Sequence, residues 1–269
     1  MAEKVVLMLV AHADDTEFLA GGTVARLVNE GYGVYEVITT NNERGSFELD
    51  RETAISESIK EAREAARVLG KKDVIFLDYP DGMLSDYPLN ELREKFIRLI
   101  RELRPRIVFT FDPWAPFEPH PDHRAVSMAA VEAVGFAHMP LFHPEHIENG
   151  LKPHLVAEQY FFAKAPLHAN KVVDITDYID KKVEALCAHV SQMKLTIDDL
   201  KMSLEDASLT PEVLKMLDRD NYRPAIELMV KAYAQEVGKK AGYQYGEEFR
   251  HEKAGGVIAD AVRAFARGG

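Results

Sequence analysis

Only one of the 269 residues is a cysteine, Cys187, so no intrachain disulfide can form and no thiolate cluster can hold a metal. Any metal bound by this chain has to use histidine and carboxylate. Long apolar runs are also missing: none reaches the ~18 residues that suggest a membrane-spanning helix. The start, Met1-Ala2-Glu3-Lys4, runs directly into a strand-like segment without the basic and apolar regions of a signal peptide, so a cytoplasmic location is expected. Positive charge is in deficit, with 33 Lys and Arg against 44 Asp and Glu and a net charge of -11. Such a field repels phosphate backbones and anionic lipid, which argues against nucleic-acid and membrane partners. No Pro/Gly/Ser-rich linker, internal repeat or low-complexity tract divides the chain, and one domain over residues 1–269 is expected.

The first half alternates short β-branched apolar runs with helical patterns. Val5–Val10, Val34–Thr39, Val74–Leu77 and Ile107–Phe111 read as strands buried on both faces. Gly22–Asn29, Thr53–Leu69 and Leu92–Leu103 carry apolar residues at three-to-four spacing, as does the stretch His123–Phe136 beyond the fourth strand. The expected fold class is α/β, a Rossmann-like, mostly parallel sheet flanked by helices, in which ligands bind beyond the carboxyl ends of the strands. A further strand is expected at Glu158–Ala163 and a helix from Asp177 to about Met193. An acidic, amphipathic helical subregion follows at about 194–240, with junctions near Thr210-Pro211 and Arg223-Pro224. It reads as a packed helical hairpin, an oligomer contact or a lid, and self-association into a homo-oligomer is expected from it.

Two clusters sit at strand ends. The first strand runs into His12-Ala13-Asp14-Asp15-Thr16-Glu17, and the fourth is followed by Glu118-Pro119-His120-Pro121-Asp122-His123. If the two loops meet, His12, Asp15 and His123 offer zinc two nitrogens and one oxygen and leave a fourth position for water, as in a catalytic rather than a structural site. The prolines on either side of His120 stiffen its loop. Gly21-Gly22-Thr23 could cradle a phosphate, but with no GxGxxG present tight helix packing explains it better. His138, His143, His146 and His154 are irregularly spaced and read as surface residues. Trp114 is suited either to stack on a sugar ring or to pack half-buried.

These residues resemble the LmbE-like, or PIG-L, family of zinc-dependent N-acetylglucosaminide deacetylases, whose signature is A-H-P-D-D-x-E, then G-G-T, then H-P-D-H. The matching residues are Ala11-His12-Ala13-Asp14-Asp15-Thr16-Glu17, Gly21-Gly22-Thr23 and His120-Pro121-Asp122-His123. Weaker echoes include Glu43-Arg44-Gly45, Asp81-Gly82, His189-Val190-Ser191-Gln192 and Tyr245-Gly246-Glu247-Glu248-Phe249-Arg250, and Asp112-Pro113-Trp114 looks like the diacetylchitobiose deacetylase branch. The resemblance implies one zinc per chain on His12, Asp15 and His123, Asp14 as general base, His120 beside the reacting carbonyl, and Arg44 and Asp81 on the sugar. Asp122 is expected to hold His120 protonated. Two positions depart from the pattern: Ala13 replaces a proline, and Ser58 stands where many members carry a substrate-binding arginine. The expected activity is removal of the acetyl group from a small N-acetylglucosamine-containing substrate, of chitobiose or thiol-glycoside type. The rival is a zinc hydratase or amidase acting on another small metabolite; a passive sugar- or metal-binding protein would give Asp14 nothing to do.

Overall fold

The alternating apolar runs fold as parallel strands separated by helices. In the computed structural model, which describes residues 4–164, 166–204 and 211–267, the chain opens with β1 (Lys4–Val10), α1 (Asp15–Asn29), β2 (Tyr32–Thr40), α2 (Arg51–Leu69), β3 (Asp73–Tyr79), α3 (Leu89–Leu103), β4 (Ile107–Phe111) and α4 (Pro121–Phe136). Gly70 ends α2 in the left-handed conformation, φ 80°, which costs glycine little. After the short α5 (Pro144–Glu148) come β5 (Glu158–Phe162), β6 (Lys171–Asp174), α6 (Ile179–Cys187), α7 (Val190–Ser203), α8 (Pro211–Met216), α9 (Arg223–Lys239), β7 (Gly246–Lys253) and α10 (Gly256–Arg267).

The seven strands form one sheet in the order β3-β2-β1-β4-β5-β7-β6. Strands β1 to β5 are parallel, with Val6 beside Ile107 and Met8 beside Phe109, while β7 runs antiparallel to both β5 and β6. The chain therefore builds outward from β1 to β3, then crosses back to lay β4 on the other side of β1. That reversal is the switch point of a doubly wound sheet, where the loops after the two strands diverge and leave a crevice.

The core around the sheet includes Val6 to Val10, Phe96, Phe109 and Phe249. A second apolar cluster lies among α6, α7 and α9, built on Ile179, Leu186, Met193, Ile197, Ile226 and Ala234. The helical subregion thus has its own packed interior, and Phe18 of α1 packs against it. Thr210 of the expected junction lies outside the described residues; Pro211 and Pro224 stand in the first turns of α8 and α9.

Four elements differ from expectation. Helix α1 begins seven residues before Gly22, because the glycine pair lies inside it: a Cβ on Gly22 would sit 2.7 Å from Ile175. The expected Asp177 helix is a short 3-10 turn followed by α6 and α7, broken at Ala188 and His189. Strands β6 and β7 were not anticipated, since the charged run Gly-Glu-Glu-Phe-Arg-His-Glu-Lys of β7 lacks the apolar continuity of a central strand. Its Glu247 is buried and accepts hydrogen bonds from the Gly22 and Thr23 amides at 3.0 and 2.7 Å, while Lys182 bridges that carboxylate and the Phe18 carbonyl. Removing the carboxylate strands a buried cation and two amides. Urea unfolding should therefore show Glu247→Ala destabilised by about 3–5 kcal/mol, against at most about 1 kcal/mol for Glu236→Ala, whose pair with Lys239 is exposed. Equal losses would contradict the buried-pair account.

Candidate active site

Because β1 and β4 are neighbours, the loops leaving their carboxyl ends face each other across the switch point. Asp15, the first residue of α1, folds its carboxylate back so that Oδ2 accepts from the Ala11 and His12 amides at 3.1 and 2.7 Å. This closes the turn that brings His12 and Asp15 to one side. On the facing loop, His120 caps α4, its Nδ1 accepting from the Asp122 amide, and His123 lies in the first turn, its ring stacked on Phe111 at 4.0 Å.

Three donor groups converge. His12 Nδ1 and His123 Nε2, 111 positions apart in the chain, are separated by 3.1 Å. Asp15 places Oδ1 at 3.3 Å from His123 Nε2 and Oδ2 at 3.6 Å from His12 Nδ1. Donors about 2.0–2.1 Å from a tetrahedral ion are separated by roughly 3.3 Å, so the two imidazole nitrogens have the spacing of two corners of one coordination shell, with one Asp15 oxygen beside each. His120 adds a third imidazole, its donor atom within 4.8 Å of those of His12 and His123.

The outer nitrogens also favour a cation. His12 Nε2 is 3.1 Å from Asp81 Oδ1, and His123 Nδ1 is 3.2 Å from Glu118 Oε1, although off the line of a good hydrogen bond. A carboxylate there draws the ring proton outward, orienting the imidazole and leaving the inner nitrogen as a lone pair. Two lone pairs and a carboxylate facing one point form a pocket that needs positive charge.

The electrostatics agree. Burial alone would push His12 down, but the Asp122, Asp15 and Asp81 carboxylates hold it well above the usual histidine value. Burial likewise would raise Asp15, yet His123 and His12 keep it far below the carboxylate range. Asp14 behaves oppositely: burial, then the Asp15 charge, raises it despite His189 and His12. The neighbouring carboxyls are thus driven apart, one fixed as an anion and the other moved toward neutral pH.

His120 departs from expectation. Burial and the adjacent His12 and His123 rings lower its pKa to about 4, and Asp122 does not hold its ring. The Asp122 carboxylate instead accepts from the Gly82 and Leu84 amides at 2.6 and 3.0 Å, tying the β3 loop to α4, and lies 3.5 Å from His12 Nε2. His120 is accordingly neutral, and with Nδ1 occupied as an acceptor its proton resides on Nε2.

A cavity of 690 Å³ opens over these groups and includes Asp14, Asp15, His12, His120 and His123 in its lining. Arg44 and Asp81 line it too, with Asp81 Oδ2 accepting from the Arg44 amide. Trp114 is absent from its lining; Arg250 covers the indole at 4.9 Å. Ser58 is buried and also absent from the lining. Among the four irregular histidines, His146 is not a surface residue: it is fully buried, accepting from Arg101 and pairing with Glu94, which leaves it no lone pair for a metal. Glu118 and the groups beneath the site, Lys71 and Glu36, escaped the sequence reading. Only Glu118 carried a signal, as a carboxylate inside the second histidine cluster.

The fold and the donor set define a doubly wound α/β protein with a histidine–carboxylate cluster that could hold a metal, and a further buried carboxyl, Asp14, at its switch point. The chain belongs to the PIG-L family: residues 7–134 match the family described as GlcNAc-PI de-N-acetylase. It is 34% identical over 192 residues to the diacetylchitobiose deacetylase of Thermococcus kodakarensis, covering 70% of each chain. It is 28% identical over 225 residues to the probable N-acetyl-alpha-D-glucosaminyl L-malate deacetylase 2 of Bacillus anthracis, covering 82% of this chain and 94% of that one. The N,N'-diacetylchitobiose deacetylase of Pyrococcus horikoshii superposes with a TM-score of 0.75 at 29% identity, over 93% of this chain and 84% of that one. The family and these relatives are N-deacetylases, hydrolases of amide bonds.

If Glu118 orients His123, Glu118→Gln should weaken zinc affinity about 10- to 100-fold in a chelator competition. Protons compete for His12, so affinity should also fall as pH drops below its raised pKa, with zinc released at the acid end. Unchanged affinity in Glu118→Gln would remove it from the metal's support.

Proposed function

We propose that the protein is a zinc-dependent N-deacetylase that releases acetate from the 2-acetamido group of a small N-acetylglucosaminide. The observation that carries this is the convergence of His12, Asp15 and His123 with a separate carboxyl, Asp14, whose pKa is raised, at one mouth of a cavity. The relatives act on amino sugars that differ in what is attached to them, a second sugar in one and malate in the other. N-acetylglucosamine is their common part, and we assign it as the recognised unit here.

In this reading His12, Asp15 and His123 hold one zinc ion. The ion supplies Lewis-acid polarisation of the acetyl oxygen and lowers the pKa of water toward ~7. Asp14 takes the proton of the attacking water, a role suited to a carboxyl moved toward neutrality. His120, neutral with its proton on Nε2, donates a hydrogen bond to the developing oxyanion, which needs no protonated imidazole. The proton on Asp14 then passes to the leaving amine. Arg44 and Asp81 border the space for the sugar hydroxyls, and Asp81 also steadies His12.

Asp14→Asn should keep its zinc and lose turnover by about 10²- to 10⁴-fold, whereas His123→Ala should lose the metal itself. Metal analysis beside an amine-release assay on N-acetylglucosaminides separates the two. Full turnover in Asp14→Asn would remove the base assignment, and zinc-loaded protein that releases no amine across the panel would overturn the activity.

A further inference from the structure

The cavity has two unlike sides. Its 690 Å³ is in the range that encloses a drug-sized ligand, more than a single amino sugar fills. Asn42, Arg44 and Asp81, from the loops after β2 and β3, form the polar side. Opposite stand Phe18 and Leu19 of α1, Leu195 of α7, and Met229, Val230 and Tyr233 of α9.

Core packing accounts for only part of this second side: Val230 is a member of the helical core, Phe18 and Met229 pack on it, and Leu19 packs on the sheet core. The helices α7 and α9 bury Met193, Ile197, Ile226 and Ala234 between themselves and α6, but Leu195 and Tyr233 belong to neither apolar core, and Tyr233 is 52% exposed. Away from the cavity the same helices carry ion-paired charge: Lys194 with Asp220, Asp198 with Arg219, Lys231 with Asp180 and Glu227. Of the two lysines in the lining, Lys182 is taken by Glu247 and the Phe18 carbonyl, and Lys164 faces Glu118 at 3.6 Å. Gln192 donates to the Gly45 carbonyl at 2.9 Å, fixing α7 against the β2 loop so that the wall is held in place.

An acetamido group placed at the histidine cluster, with ring hydroxyls toward Arg44 and Asp81, leaves the helical wall for another substituent of the sugar, which we take to be the glycosidic one. A second sugar there would exchange water for carbon around its hydroxyls, an unfavourable trade. An alkyl chain or aromatic ring would gain from the same contact. We propose that the α1/α7/α9 wall is an aglycone subsite for an apolar group, so that the substrate is an N-acetylglucosaminide of a hydrophobic alcohol or phenol rather than an oligosaccharide. This rests on the deacetylase reading above and adds the chemistry of the leaving side of the sugar.

The test is amine release by the zinc-loaded enzyme from methyl, butyl and hexyl N-acetylglucosaminides of both anomers, from N,N'-diacetylchitobiose, and from methyl glucosaminides with longer N-acyl chains. Each buried methylene should raise kcat/KM by about threefold, so burial of even two of the methylenes added between methyl and hexyl places hexyl about tenfold above methyl. Leu195→Asn and Tyr233→Ser should each shrink the hexyl-to-methyl ratio. A flat alkyl series with chitobiose above it overturns the subsite, and so does preference for a longer N-acyl chain over a longer aglycone. Calorimetric binding of hexyl against methyl glucosaminide, the deacetylated amines, reads the subsite without turnover. Tighter hexyl binding with no amine released from any compound keeps the subsite and overturns the deacetylase reading, whereas equal binding of the two amines overturns the subsite itself.

Discussion

The pairing of β1 with β4 is the constraint on which the rest depends. Those strands are separated in sequence by two complete strand–helix units, yet the sheet order makes them neighbours and turns their carboxyl ends to the same edge. Only then do His12 and His123 come within 3.1 Å. Two imidazoles and a carboxylate at that spacing repel one another unless a proton or a metal ion sits among them, so the geometry of the loops favours positive charge at this point.

Holding such a cluster takes support from below. Glu17, two residues beyond Asp15 on α1, is fully buried and paired with Lys71, which also meets Glu36; both contacts are 2.7 Å or shorter. Burial acts against the Lys71 charge, but the two carboxylates outweigh it and keep the ammonium protonated. The side chain of His189 lies 3.4 Å from Glu17, while Ser191 and Gln192, next along the chain, bond to Glu61 of α2 and to the Gly45 carbonyl. One short segment therefore fastens α7 both to the helix carrying the cluster and to the loop bordering the cavity. Replacing the Lys71 network by carbon would remove a desolvation cost, but it would also release the orientation of the first turn of α1.

Much of this was legible in the sequence because it follows from periodicity and from strand ends. Apolar runs such as Ile107–Phe111 can only be central strands, and a histidine-carboxylate cluster just past two of them marks the functional edge. The resemblance to the PIG-L family added roles that spacing cannot supply. What escaped was set by tertiary contact. β7 reads as a charged surface run because its buried carboxylate, Glu247, faces helix amides rather than solvent. Asp122 looked like a partner for His120, yet the β3 loop brings two amides to it and His120 is left neutral. Trp114 stands outside the cavity lining with Arg250, more than a hundred positions later, over one face of its ring, a placement that the sequence does not carry. The apolar side of the cavity could not be anticipated, since Leu195 and Met229 are indistinguishable in sequence from residues that fill the helical core.

The central claim, one divalent ion held by two imidazoles and one carboxylate with a place left for solvent, is tested most directly by X-ray absorption spectroscopy at the zinc edge of the purified, zinc-loaded protein. The account expects one zinc per chain with only nitrogen and oxygen neighbours at about 2.0–2.1 Å and two imidazole scattering signatures, and loss of the zinc itself in His123→Ala. A closed shell of four protein ligands, or a spectrum and metal content unaltered by that substitution, would contradict it.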